Sequence, residues 1–258
     1  MASNLSTIGL DTGSPDVLVG LVNRLAVEAR ERLATAAGDY AIWRSRSGAE
    51  VWFHVTPGTA QTEPGGDREI VGLTPFYEGK GEARLLVSHA VHRADDNPFE
   101  GAFYAWVGPD DDGAGAYPIV FDAVDFAAHL EREWPAERRV RLTGFAREVK
   151  AYASEDDFIA AQSEGPGFAP QSFFPVGLFA AADGNEAASP SSHALLAGRV
   201  AETAEYVNEA TGQRYLWLLV DGLEAQFDVV AAPDVVSGSI VPGGTVQVHC
   251  WMFGRLID

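Results

Sequence analysis

Lysine, cysteine and methionine are all scarce in this 258-residue chain. Cys250 is the single cysteine, so no disulfide can close within the chain, and a reducing compartment such as the cytoplasm is expected. Lys80 and Lys150 are the two lysines, and the other basic side chains are arginines. With the alanine-rich usage, this reads as a GC-rich bacterial genome rather than as a functional device. Met1 to Thr12 lacks the basic and apolar regions of a secretory signal. The longest strongly apolar run, Tyr215 to Val220, is far short of the roughly 20 residues that cross a bilayer. Positive charge is short too: 18 Lys plus Arg face 37 Asp plus Glu, a net charge of −19. That field repels phosphate backbones and anionic lipid, so nucleic-acid and membrane partners are disfavoured.

Complete catalytic and metal motifs are also missing. Gly79-Lys80 is not a phosphate loop, because Thr74 stands where its first glycine belongs and Gly81 replaces its hydroxyl residue. No Gly-x-Ser-x-Gly elbow occurs, and Ser237-Gly238-Ser239 reads as a loop. His89 and His92, three apart on a strand, point to opposite faces and cannot chelate together. Asp110-Asp111-Asp112-Gly113 lacks the alternating oxygens and distal Glu of a calcium loop, and reads as a solvated turn. Cys250, beside Trp251, reads as a buried inert thiol. Arg138, Arg139 and Arg141 form a basic cluster next to Glu131, Glu133 and Glu137, which predicts surface pairing. No catalytic residue, metal ligand or cofactor is therefore assigned.

What is present is an ordinary globular composition, 47% apolar and 21% charged. The pattern predicts an α+β, β-rich fold in three modules. Residues 1–80 read as strand, helix and three strands. Ser3 to Leu10 is the first strand. Ser14-Pro15-Asp16 opens a helix whose Leu18, Leu21, Val22, Leu25 and Ala29 form one stripe, with Gly38 as its stop. A hairpin follows, Tyr40 to Arg44 and Glu50 to Val55, then a strand from Glu69 to Tyr77. Residues 81–190 read as a β-rich middle. Its strands are Leu85 to His92, Ala102 to Val107, Tyr117 to Phe121 and Val140 to Ala153. A short helix starts at Asp125. Ser154 with Asp157 forms a capping box for a helix to about Ser163. Gly165 to Pro175 is irregular, and Asp183 to Ser192 is a linker. No tandem repeat at solenoid or propeller spacing is evident.

Residues 191–258 read as a small barrel. Leu196 to Val207 is a long strand bent at Gly198. Gln213 to Asp221 is apolar on both faces and therefore central. Asp221-Gly222 turns into Glu224 to Ala231, and Pro233 to Ile240 is a short helix or turn. Thr245 to Ile257 makes a fifth strand if it breaks at Gly254. This layout resembles an oligonucleotide-binding (OB) fold, which implies a single-strand-binding groove. The aromatics for that are Tyr206, Tyr215, Trp217, Trp251 and Phe253. The basic groove is not there: Arg199, Arg214 and Arg255 face eight carboxylates across residues 194–258, a net of −5. The expectation is that Trp217 and its neighbours dock on the preceding module. Gly48-Ala49-Glu50-Val51-Trp52-Phe53 is similar to the third-strand region of vicinal-oxygen-chelate (glyoxalase-like) domains. The resemblance implies a strand-helix-three-strand unit holding a metal by His and Glu, but Ile8-Gly9-Leu10 offers no His on the first strand.

Alternation places Glu50, Trp52 and His54 on one face of one strand, to which a neighbouring strand with Tyr104 and Trp106 is predicted to add. These five are the candidate ligand-binding residues, with His54 able to exchange protons near neutral pH. The leading expectation is a non-enzymatic binding or scaffolding protein with a protein or small-molecule partner. The alternatives are a small-molecule enzyme at Glu50 and His54, and single-stranded nucleic-acid binding by the terminal barrel.

Overall fold

A computed structural model describes residues 4–56, 68–110, 115–162, 167–178 and 190–257, and the fold is α+β and β-rich. Among the described residues, two sheets account for the strands. The first is an antiparallel meander of β1 (Glu31–Thr35), β2 (Gly38–Arg44), β3 (Ala49–Val55) and β4 (Ile70–Tyr77). Its helix, α1 (Pro15–Glu28), has Pro15 in its first turn, and Leu21 and Leu25 are its buried residues.

Two expectations for this region fail. Ser6–Ile8 is a 3-10 turn rather than a strand, and its Ile8 side chain is fully buried. The helix ends at Glu28, ten residues before Gly38. Ala29 is extended, and Glu31 to Thr35 pair with Gly38 to Ile42. Glu, Arg, Leu and Ala favour helices locally, but pairing with β2 overrides that preference. Gly38 instead sits at positive φ (136°) in the β1–β2 turn.

The second sheet begins with β5 (Glu82–Val91), β6 (Ala102–Val107), β7 (Tyr117–Ala123) and β8 (Ala136–Tyr152). After α2 (Glu155–Ala160) come β9 (Ser172–Phe174), β10 (His193–Val207), β11 (Arg214–Asp221), β12 (Gln226–Ala231), β13 (Val236–Ser237) and β14 (Thr245–Leu256). The Ser154 hydroxyl accepts the Asp157 backbone N–H at the start of α2, as its sequence predicts. The start near Asp125 is different: Phe126–His129 is a 3-10 turn, and Asp125 does not cap it. Asp111 to Gly113, and most of the expected linker, lie outside the described residues.

The pairing closes two rings. In the first, β5, β6 and β7 pair in succession, β7 runs parallel to β14, and β5 pairs with β8. In the second, β10, β11 and β12 pair in succession, β12 runs parallel to β8, and β10 pairs with β14. The antiparallel pair β8–β14 belongs to both rings and runs from Tyr152–Thr245 to Val140–Leu256. Three paired strands, a 3-10 turn and a long strand therefore occur twice, and the long strands are shared. β14 does not break at Gly254. The fifth strand of the second ring is β8, contributed by the middle of the chain.

One apolar cluster fills both rings, from Leu85, Phe103 and Phe121 to Leu218, Phe227 and Met252. A second lies between the rings and the first sheet and joins Tyr40, Trp52, Phe53 and Phe76 to Phe145, Tyr215, Trp217 and Phe253. β11 is central as predicted, with Leu218 and Val220 in the first cluster and Tyr215, Trp217 and Leu219 in the second. Its aromatic face is covered by the first sheet: Tyr77 lies 6.2 Å from Tyr215 and 6.4 Å from Trp217. Among the described residues, no helix is long and apolar enough to cross a membrane.

Candidate functional site

The hairpin register sets Arg44 of β2 opposite Glu50 of β3, and Tyr40 opposite His54. Glu50, Trp52 and His54 share a face of β3, and that face turns inward, towards the rings. All three are buried, Glu50 and His54 completely. The Trp52 indole N–H donates to Glu50 Oε2 at 2.7 Å, and Arg44 Nε lies 2.9 Å from Glu50 Oε1. The Arg255 guanidinium lies over the Trp52 ring, 5.8 Å from its centroid. His54 stacks on Phe99 and meets Tyr40 edge-on. Its ring nitrogens lie 3.2 Å from Thr74 Oγ1 and from Asn97 Nδ2. Burial pushes the His54 imidazole down to about 4, so it is neutral at physiological pH.

Tyr104 and Trp106 lie elsewhere. β6 pairs with β5 and β7, so it is not a neighbour of β3, and Tyr104 stacks on His89. Both Tyr104 and Trp106 are half-buried. The structure therefore brings three of the five candidate residues together and places two on the first ring.

Around Glu50 stands an ionic cluster that the sequence did not disclose. Arg44 contacts Glu31 at 3.3 Å and Glu78 at 2.8 Å as well as Glu50. Glu78 also pairs with Arg141 and, at 3.5 Å, with Arg255. Burial raises Glu50 to about 7 and outweighs the Trp52 hydrogen bond and the Arg44 charge; its hydrogen bond to Glu78 works in the same direction as burial. Burial also acts to raise Glu78, but the Glu50 hydrogen bond and Arg255, Arg44 and Arg141 together hold it below the ordinary carboxylate value. The Arg44–Glu50 pair has a local signal, the four-residue hairpin turn, that was not read from the sequence. Glu78, Arg141 and Arg255 reach the cluster from other elements, and nothing local announces them. Arg139 and Arg141 pair with Glu82, and Arg138 lies over Trp134 and donates to the Glu137 carbonyl.

A cleft of about 770 Å³ opens beside this cluster. One wall is β1–β2, with Glu31, Leu33, Ile42 and Arg44; the other is the Asp125–Arg132 turn; Trp52, Arg255 and Leu256 also line it. His129 Nε2 and Asp125 Oδ2, both on its wall, are 2.9 Å apart. Neither Glu50 nor His54 lines it. A smaller cavity of about 290 Å³ lies beside Thr74, Arg93, Glu100, Asp122 and Trp251. Among the described residues, no group of three or more His, Cys, Asp or Glu is placed to hold a metal ion. Cys250 is buried, and burial pushes its thiol up to about 12. No protein-family model, curated protein or solved structure matches this chain.

Proposed function

We propose that this protein is a non-enzymatic, cytoplasmic binding protein that holds its partner in the cleft between β1–β2 and the Asp125–Arg132 turn. One contrast carries the reading. The groups able to move protons on β3 are shut inside the molecule, whereas the cleft beside them is open and of mixed character. Cavities of a few hundred to a thousand Å³ with apolar walls and a few polar groups are the usual form of a small-molecule site. General acid–base work by His54 would need contact with a substrate, and its ring is covered by Phe99 and Tyr40. We read the second ring as an OB-like barrel, supported by its closure from five strands. Its net charge argues against a nucleic-acid partner.

A fragment screen tests the reading. Compounds of neutral, cationic and anionic type are added to the intact protein, and amide hydrogen exchange is followed. Slowed exchange in residues 31–44 and 125–132 is expected, abolished by Ala128→Trp, which fills the cleft from its exposed wall. Binding that protects only other segments, or that survives Ala128→Trp, would refute it.

A further inference from the structure

We propose that the cleft is specific for a carboxylate joined to an apolar body, held by Arg44 and Arg255 beside Trp52, and that the proton on Glu50 controls its affinity. This rests on the cleft being the binding site. Arg44 and Arg255 are the two members of the ionic cluster's arginines that line the cleft, and both remain partly exposed. Guanidinium groups present paired N–H donors that match a carboxylate. Leu33, Ile42, Trp52, Leu130 and Leu256 supply apolar wall for the rest of the ligand.

The charge balance explains the control. Arg44, Arg141 and Arg255 face Glu31, Glu50 and Glu78, three against three when all are ionised. Glu82 of β5 and Arg139 of β8 add one more of each sign. Glu50 is the member with no exposure to water, and burial holds its carboxyl up to about 7. A neutral Glu50 leaves the arginines in excess by one charge, and that excess is available to an anion. An ionised Glu50 competes with the ligand for Arg44, whose Nε lies 2.9 Å from it. The side chains facing Glu50 are Arg44 of β2, Trp52 of its own strand and Glu78 just beyond β4, with Arg141 and Arg255 reaching it through Glu78. In the cleft itself Glu31, Asp125 and Glu131 oppose an anion and Arg132 of the turn attracts one, so selectivity depends on the apolar wall and paired guanidinium groups at the Arg44–Arg255 end.

Titration calorimetry at pH 6 and pH 8 tests this with hexanoate, hexanamide and the tripeptide Ala-Ala-Leu carrying a free or an amidated C-terminus. A small acid and a peptide terminus present the same group, and the two pairs tell them apart. Hexanoate or the free tripeptide should bind at pH 6 and weaken about tenfold at pH 8, while the amides bind at least tenfold more weakly at pH 6. Glu50→Gln should keep the pH 6 affinity at pH 8. Arg255→Met should abolish binding, and Arg44→Met carries the test if thermal unfolding shows Arg255→Met to be unfolded. His129 also lines the cleft, beside Asp125, so a pH dependence that persists in Glu50→Gln would overturn the role given to Glu50. Equal affinity for acid and amide would overturn the carboxylate class. If neutral or cationic fragments protect the cleft and carboxylates do not, the cleft remains the site and this inference falls alone. If no fragment protects it, both fall.

Discussion

The two rings share one plan and differ in how each fixes a carboxylate. Asp122 of β7 lies opposite Phe253, and Asp228 of β12 lies opposite Thr143; Phe253 and Thr143 are themselves partners in β8–β14. Each carboxylate accepts an indole N–H, from Trp251 at 2.7 Å and from Trp217 at 2.6 Å. The remaining donors differ in kind. Asp228, completely buried, accepts the backbone N–H groups of Gly81 and Lys80 at 2.7 and 3.2 Å. Asp122 is part-exposed and accepts side chains, Arg93 at 2.7 Å and Ser192 at 2.6 Å. The position two before each strand partner also differs. Ala102 faces Asp122 and Leu219 faces Asp228, so Glu100 stands where the second ring has Trp217. The Trp217 indole covers Asp228 beneath the first sheet, whereas Glu100 and Asp122 line the 290 Å³ cavity. Backbone donors and a buried indole packed on Tyr77 make the second ring a fixed support for the first sheet, and the first ring retains polar surface beside its cavity.

The largest effect should come from the backbone lock. A Cβ on Gly79 would lie 2.1 Å from the Asp228 carboxylate, which its three donors prevent from moving away. Gly79→Ala is expected to cost about 3 kcal/mol or more, or to abolish folding, while Ser192→Ala in the side-chain lock should cost about 1 kcal/mol. Urea unfolding of both variants decides it, and comparable losses would dissolve the distinction between the locks.

Removing the carboxylates themselves gives a smaller contrast. Asp228→Ala leaves the Trp217 indole and two backbone N–H groups unpaired in a dry site, an expected loss of about 3 kcal/mol. Asp122→Ala leaves Arg93 and Trp251 partly exposed, where water replaces the lost acceptor, so about 1–2 kcal/mol is expected. The midpoint of thermal unfolding should fall further for Asp228→Ala, and the reverse order would contradict the assignment of Asp228 as the sealed member.

Legibility in the sequence followed the range of the interaction. The β2–β3 hairpin, the Ser154 cap and the two apolar faces of β11 rest on neighbours a few residues apart, and pattern was enough. The end of α1 was misread because Glu31 to Ala34 satisfy helix propensity, and only pairing with β2 makes them a strand. The shared β8–β14 pair could not be anticipated, because it joins residues about a hundred apart and alternation does not name a partner. The same limit applied to the site. Alternation put Glu50, Trp52 and His54 on one face, but whether that face meets water depends on Phe99 and Arg255, which come from other elements.

β3 touches both sides of the comparison, and pH should separate its two ends. Glu50 bonds to Glu78, which begins the segment that locks the second ring, and His54 packs on Phe99 and Asn97 beside the first. Glu50 is raised from 4.5 to about 7, so its contribution to stability is fully present below 4.5 and is lost as pH rises through 7. His54 is lowered from 6.5 to about 4, so its contribution is present above 6.5 and is lost as pH falls through 4. Between pH 4.5 and 6.5 the two slopes oppose, each at about 1 kcal/mol per pH unit, and the native protein should show the smallest change of the effects described. Glu50→Gln removes the falling slope, so the variant should gain stability relative to native as pH rises from 4.5 to 7. His54→Gln removes the rising slope and should lose stability relative to native from pH 4 to 6.5. Denaturant midpoints for the three proteins, measured at half-unit steps, give the two difference curves. Difference curves of the same sign would mean that one of the two groups is open to water, and the sealed face of β3 would have to be abandoned.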